Sequence, residues 1–267
     1  MMLRTTRLFA VPAALGVLAA TGVASAGSID FNDLAHGEII NNQYQSSHGV
    51  TITAENFHRS FDLAVAFDTN LSQTRDSDLE SPWSGGNLPV THDAGKVMIL
   101  QENNYNPDKD NIVERPDDEG RRPAGRFVID FDRAIDSFGF TLVDIEGPEE
   151  FYGGYFLSIY NNEEQVAQID FADFVVRDAF DPVRQAAYDM FDETHRPVYG
   201  DNSINRILPL DADLLGGEFD RVVIGLGGSG GIDDLAFTTV VPTPSTFTIG
   251  AVLLTLAGLR RRRAATC

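Results

Sequence analysis

Apolar and polar residues alternate with a period of two through much of this chain. Phe127, Ile129 and Phe131 are separated by Val128 and Asp130, and Phe138, Phe140 and Leu142 by Gly139 and Thr141. That period puts the large side chains on one face of a half-buried strand. The short polar span 132–136 between the two runs predicts a hairpin. Shorter runs of the same kind occupy residues 28–31, 39–40, 49–53, 63–67, 96–102, 154–160, 165–171, 219–226 and 232–240. In 49–53 a glycine break is followed by β-branched residues, a strand signal in itself. Polar stretches with Gly and Pro, 68–95 and 103–124, read as surface loops. Residues 178–191 predict the one helix, with Phe180, Val183, Ala187 and Phe191 on one face. Pro182 falls in its first turn, where the missing N–H is not needed. Many short strands, long loops and one helix predict an all-β fold, mainly an antiparallel β-sandwich or jelly roll with one helical insertion.

The two ends depart from this pattern. Arg4 and Arg7 precede an apolar run at 8–20, and Ala24-Ser25-Ala26 has the small-residue spacing of a signal-peptidase site before Gly27. At the other end, the turn-forming 241–246 leads into an apolar run at 247–259 and then Arg260, Arg261, Arg262 and Arg263. A spanning helix needs about 20 apolar residues, so this short hydrophobic helix is marginal as a permanent anchor. Arginines directly after it mark a cytoplasmic stop, with the preceding chain outside. The chain therefore divides into a signal peptide (1–26), a single large domain (27–241) and a C-terminal tail (242–267).

Charge changes the picture once the ends are set aside. All 40 Asp and Glu lie in 27–241 against 14 of the 20 Lys and Arg, a net of −26. Phosphate neutralisation needs clustered Lys and Arg, so no nucleic-acid partner is expected. Cations are the expected electrostatic partners, calcium above all outside a cell, and such a charge also keeps molecules apart in solution. The one cysteine, Cys267, follows the arginines, so the domain has neither disulfide nor thiol chemistry.

Pro242-Thr243-Pro244, the short apolar helix and the arginine cluster together resemble the PEP-CTERM sorting signals of exported bacterial proteins, in their Val-Pro-Thr-Pro variant. The resemblance implies processing by an exosortase-type membrane enzyme, with the C-terminal helix in the membrane until then. The opening Ile29-Asp30-Phe31-Asn32-Asp33-Leu34, the strand at 49–52 and the closing Gly230-Gly231-Ile232-Asp233-Asp234-Leu235 resemble jelly-roll modules of exported proteins of that kind and of calcium-containing carbohydrate-binding domains. In such modules the first and last strands lie side by side.

Two catalytic motifs share one Gly-rich stretch. Gly225-x-Gly227-x-x-Gly230 matches a dinucleotide fingerprint, but that motif must open a helix and here a strand follows. Gly227-x-Ser229-x-Gly231 matches a nucleophile elbow, which needs a helix after the serine and a later histidine, whereas the last histidine is His195. A tight turn between strands accounts for both, and no nucleotide or redox cofactor is expected. His36, His48, His58, His92 and His195 show no paired spacing for a transition metal. Oxygen ligands are better represented. Asn104, Asn106, Asp108 and Asp110 alternate in one loop, without the Gly and Glu of an EF-hand. If the terminal strands pair, Asp30 or Asp33 would meet Asp233 or Asp234, a second candidate calcium site. Glu102, Asp144 and Glu146 stand at strand ends as candidates for the paired carboxylates of a glycosidase. Trp83 is either a sugar-stacking platform or a buried loop anchor.

The expectation is a non-catalytic bacterial cell-surface or extracellular-matrix protein, calcium-stabilised and associated with extracellular polysaccharide. A calcium-dependent carbohydrate-binding module and an extracellular glycoside or ester hydrolase are the alternatives.

Overall fold

The two phenylalanine runs belong to one strand of 19 residues. In the computed structural model, which describes residues 25–148 and 153–240, β7 (Gly125–Val143) follows six strands: β1 (Ser25–Ile29), β2 (Ile39–Ile40), β3 (Val50–Asn56), β4 (Ala64–Asp68), β5 (Gly85–Gly86) and β6 (Lys96–Leu100). After it come β8 (Phe156–Asn161), β9 (Glu164–Asp170), β10 (Ser203–Asp211), β11 (Phe219–Leu226) and β12 (Gly231–Thr239). The described part is all-β and mostly antiparallel; the two-residue pairing of β5 with β10 is parallel.

The hairpin expected at 132–136 does not form. No residue there adopts the left-handed backbone of a tight turn. Instead β7 runs on and changes partners. Its first half, through Phe131, pairs with β3 on one side and β11 on the other. Its second half, from Ile135, pairs with β12 and β10. An extra residue on β7, where Ile135 and Ser137 oppose the consecutive Thr239 and Thr238, shifts the alternation. That shift lets Phe127, Ile129 and Phe131 and then Phe138, Phe140 and Leu142 enter one buried cluster although their numbering changes parity. Around this strand the first set continues β11–β8–β9 and the second β12–β6–β4–β2.

A second core lies on the other side of β4 and β6. Val65, Phe67, Val97 and Ile99 point into it, while Ala64, Ala66, Met98 and Leu100 point into the first. These strands are covered on both faces, and the cover on the second is the loop 69–95. Trp83 and Leu79 of that loop are 3 % and 0 % exposed, and the Trp83 indole donates to the His92 carbonyl at 2.8 Å. The loop read from sequence as surface is therefore anchored by its own apolar residues, and it carries Asp76 to the site described below.

Helices are short: α1 (Gln45–His48), α2 (Pro182–Asp189) and α3 (Ala212–Leu215). The predicted helix begins four residues late, because Asp181 caps it by accepting from the Val183 and Arg184 amides and Pro182 takes the first helical position. Phe180 thus precedes the cap and is fully exposed, contrary to its expected place on the buried face, whereas Ala187 and Phe191 are buried. Arg196 fixes the insertion by donating to the carbonyls of Phe174, Tyr188 and Phe191. Among the described residues no helix is long and apolar enough to cross a membrane. The leader through Ala24, and the sorting residues Pro242, Thr243, Pro244 and Arg260–Arg263 with their hydrophobic helix, lie outside the described residues. Ser25 and Ala26 of the expected cleavage site form the start of β1.

Candidate functional site

The Gly-rich stretch is the turn from β11 to β12, so a strand follows it as the sequence reading requires. Its glycines serve close packing. A Cβ on Gly227 would stand 2.4 Å from the Tyr155 ring, and one on Gly230, at φ +135°, would stand 2.5 Å from Ile145. The turn is pressed between these side chains, and this fixes where Ser229 points.

Ser229 points into a group of buried carboxyls. Its Oγ lies 2.8 Å from Asp118 Oδ2 and 2.9 Å from Asp144 Oδ2. A hydroxyl has one proton to donate, so it serves one of these oxygens as a donor and must accept from the other. The Gly230 amide also donates to Asp118 Oδ2, and the Asn202 amide donates to Asp144 Oδ1 at 2.6 Å. Asp76 comes in from the anchored loop, where its charge acts on both Asp118 and Asp144, and its Oδ1 accepts the Asp78 amide at 3.2 Å. Asp76 Oδ2 and the Tyr155 hydroxyl are buried without a partner. Asp76, Asp118 and Asp144 are 8 %, 7 % and 2 % exposed.

Burial sets the electrostatics. It raises Asp118 well above the ordinary carboxylate range, with the Asp76 charge next in effect. It raises Asp144 to about 7, against the hydrogen bonds from Asn202 and Ser229, and it raises Asp76 as well. Tyr155 is pushed up to about 12, again by burial first. Each carboxyl makes ionisation of the next more costly. At neutral pH the cluster must hold protons or a cation.

The acids predicted from sequence are arranged differently. β1 and β12 do pair, with Ile29 opposite Leu235. This brings Asp30 near enough to Asp233 to raise it further, after burial and Asp234. Asp233 is 1 % exposed, its Oδ1 has no partner, and its carboxyl is raised to about 9. Asp234 sits at φ +50° in a bulge and pairs with Arg206, with Thr141 also donating to it at 3.3 Å. Asp33 departs from the group, accepting from the Tyr44 hydroxyl at 2.6 Å. In the loop of alternating oxygens, Asn106 accepts from the Lys109 amide and Asp110 from that of Ile112. Asn104 and Asp108 are exposed. These side chains turn their own loop. Among the described residues no three His, Cys, Asp or Glu side chains are already gathered as a metal-ligand set.

The remaining candidates separate. Trp83 as a stacking platform is corrected, since its ring is buried in the second core. Glu102 pairs with Arg59 at 2.6 Å, and Glu146 with Arg122 at 3.1 Å. Of these three candidate acids only Asp144 enters the cluster. His36 accepts from the Asp68 amide and His58 faces the Pro123 carbonyl. Sequence reasoning missed Asp76, Asp118, Ser229 and Tyr155. Asp118 lies within a polar run, Asp117-Asp118-Glu119, that gives no sign of its burial, and Ser229 was considered only as a nucleophile. A scan against protein-family models and searches of curated proteins and of solved structures found no match to this chain.

Proposed function

We propose that this chain is an exported, non-catalytic bacterial protein of the cell surface or extracellular matrix. It would be sorted through a C-terminal signal of the PEP-CTERM type and associated with extracellular polysaccharide. Its domain is then a β-sandwich of jelly-roll kind, a reading supported by two sets of pairings that share β7 and enclose one core. The observation that carries the proposal is the pairing of the first and last strands, with Ser25 opposite Thr239. Ser25 and Thr239, the residues next to the expected leader and tail, therefore stand together at one end of β12. Removal of both leader and tail would leave Gly27–Ile29 still paired to Leu235–Phe237, and the domain closed.

Burial of the acidic cluster weighs against the hydrolase alternative, because Asp118 and Asp144 lie beneath the turn and contribute nothing to the 630 Å³ cleft lined by His48, Phe131 and Phe237. Burial of Trp83 weighs against a glycan site built on that ring. The test is fractionation of an exosortase-bearing bacterium expressing the full chain. The expected result is a surface or matrix product shortened at both ends, with a Pro242→Ala/Pro244→Ala variant retained unprocessed in the membrane. Wild-type chain that keeps its tail, or stays in the cytoplasm, would overturn the proposal.

A further inference from the structure

The cluster at the Gly-rich turn has no part in sorting, and its chemistry is incomplete as it stands. Three carboxyls from distant parts of the chain converge there: Asp76 from the anchored loop, Asp118 from the loop before β7, and Asp144 from the residue after it. The charges acting most strongly on each are other carboxylates. Their hydrogen-bond donors are neutral: the amides of Asp78, Gly230 and Asn202 and the Ser229 hydroxyl. Two further buried groups are left over. Asp76 Oδ2 has no donor, and the Tyr155 hydroxyl, on a residue 1 % exposed, has no partner. That hydroxyl lies at Gly228, 3.0 Å from where its Cβ would be, beside Ser229. Of the charges that act on it, Arg122 comes first and lowers its pKa, while Glu146, Asp144 and Asp118 follow and raise it.

We propose that Asp76, Asp118 and Asp144 form a binding site for a hard divalent cation, calcium in particular. Carboxylate oxygens are the ligands such ions prefer, and calcium accepts irregular coordination where magnesium demands an octahedron. The ion takes the place of the protons that the carboxyls otherwise share, since ligands must be deprotonated to bind. It also gives Asp76 Oδ2 a partner. The three carboxyls belong to segments that enclose the turn, so the ion ties the 69–95 loop to the ends of β7 in a domain without disulfides. The position differs from both calcium sites expected from sequence. Asp234 is occupied by Arg206, and the 104–110 loop is closed on its own amides.

The test is thermal melting and calorimetric titration of the purified full chain, in chelator, with calcium and with magnesium. Asp76→Asn and Asp118→Asn are the site variants. Asparagine preserves shape and keeps an acceptor for the amide bonds, and two positions guard against one variant misfolding. Asp30→Asn and Asp108→Asn are controls. Expected are a melting point raised by calcium and less by magnesium, calcium binding weakened at least tenfold in each site variant, and binding unchanged in the controls. A wild type with the same melting point in calcium and chelator overturns the proposal. So does calcium binding retained at full strength in either site variant. The readout is the ion alone, so its failure leaves the sorting proposal standing, and failure of sorting leaves the ion.

Discussion

Replacing Asp233 by asparagine should stabilise the protein, although it removes a buried carboxyl from the centre of the fold. Asp233 is 1 % exposed on β12, and its Oδ1 has no hydrogen-bond partner. Burial, then the charge of Asp234, raises its pKa from 3.8 to about 9. The folded state therefore keeps a proton between those values that the unfolded chain releases. Stability from this group is greatest below the unfolded pKa, falls as pH rises, and levels off above the folded one. Near pH 7 the proton uptake required on folding costs up to about 4 kcal/mol, at about 1.36 kcal/mol per unit. Asparagine resembles the neutral acid and removes that dependence, at some loss from its own unpaired amide. A gain of about 2–4 kcal/mol is expected near neutral pH, or about 5–10 °C in a domain of this size. Urea denaturation of both proteins in chelator, from pH 4 to 9, should give curves that nearly coincide at the acid end and separate steadily above it. A variant less stable than wild type near pH 7 would refute the reasoning, because it would mean that Asp233 is ionised and paired in the fold.

Arg59 holds Glu119, which is 1 % exposed, at 2.5 Å. Burial acts to raise Glu119, but the Arg59 hydrogen bond and those from Arg121 and Asn56 outweigh it, and its pKa is lowered. Arg59→Ala should cost about 1–3 kcal/mol near neutral pH by leaving that charge with only the Arg121 amide and Asn56 as donors. The stability from Glu119 is present above its unfolded pKa and lost on acidification, so the deficit should shrink below about pH 4; a deficit independent of pH in urea melts would count against the ion pair. Trp83→Ala should cost about 3–5 kcal/mol through the cavity it leaves. The same variant should expose the 69–95 loop to limited proteolysis first, and an unchanged cleavage pattern would show that the loop is held by something else.

Residues close in sequence carry the signal for local structure, and there the chain was legible. Alternation located the strands around Phe127–Phe131, Phe138–Leu142 and Val50–Ile52, because side chains in a strand face one way at every second residue. The strand after Gly231 ruled out the helix that both catalytic motifs require. Pro182 marked the first turn of α2, though not the Asp181 cap that left Phe180 outside. Pairing was less legible. The polar span in β7 looked like a hairpin, but without a residue in left-handed backbone the strand continued into a second set of partners. The pairing of β1 with β12 was anticipated, yet which acids it would bury was decided by the bulge that turns Asp234 towards Arg206. Trp83 was ambiguous for the same reason: a loop residue's burial depends on the strands it covers. The acidic cluster was legible only in the assembled fold. Asp76, Asp118, Asp144 and Ser229 are far apart along the chain, and in a sequence with 40 acids nothing marks them as neighbours. What marks them is loss of water, and desolvation belongs to the assembled fold, whereas charge and periodicity are already present in the sequence.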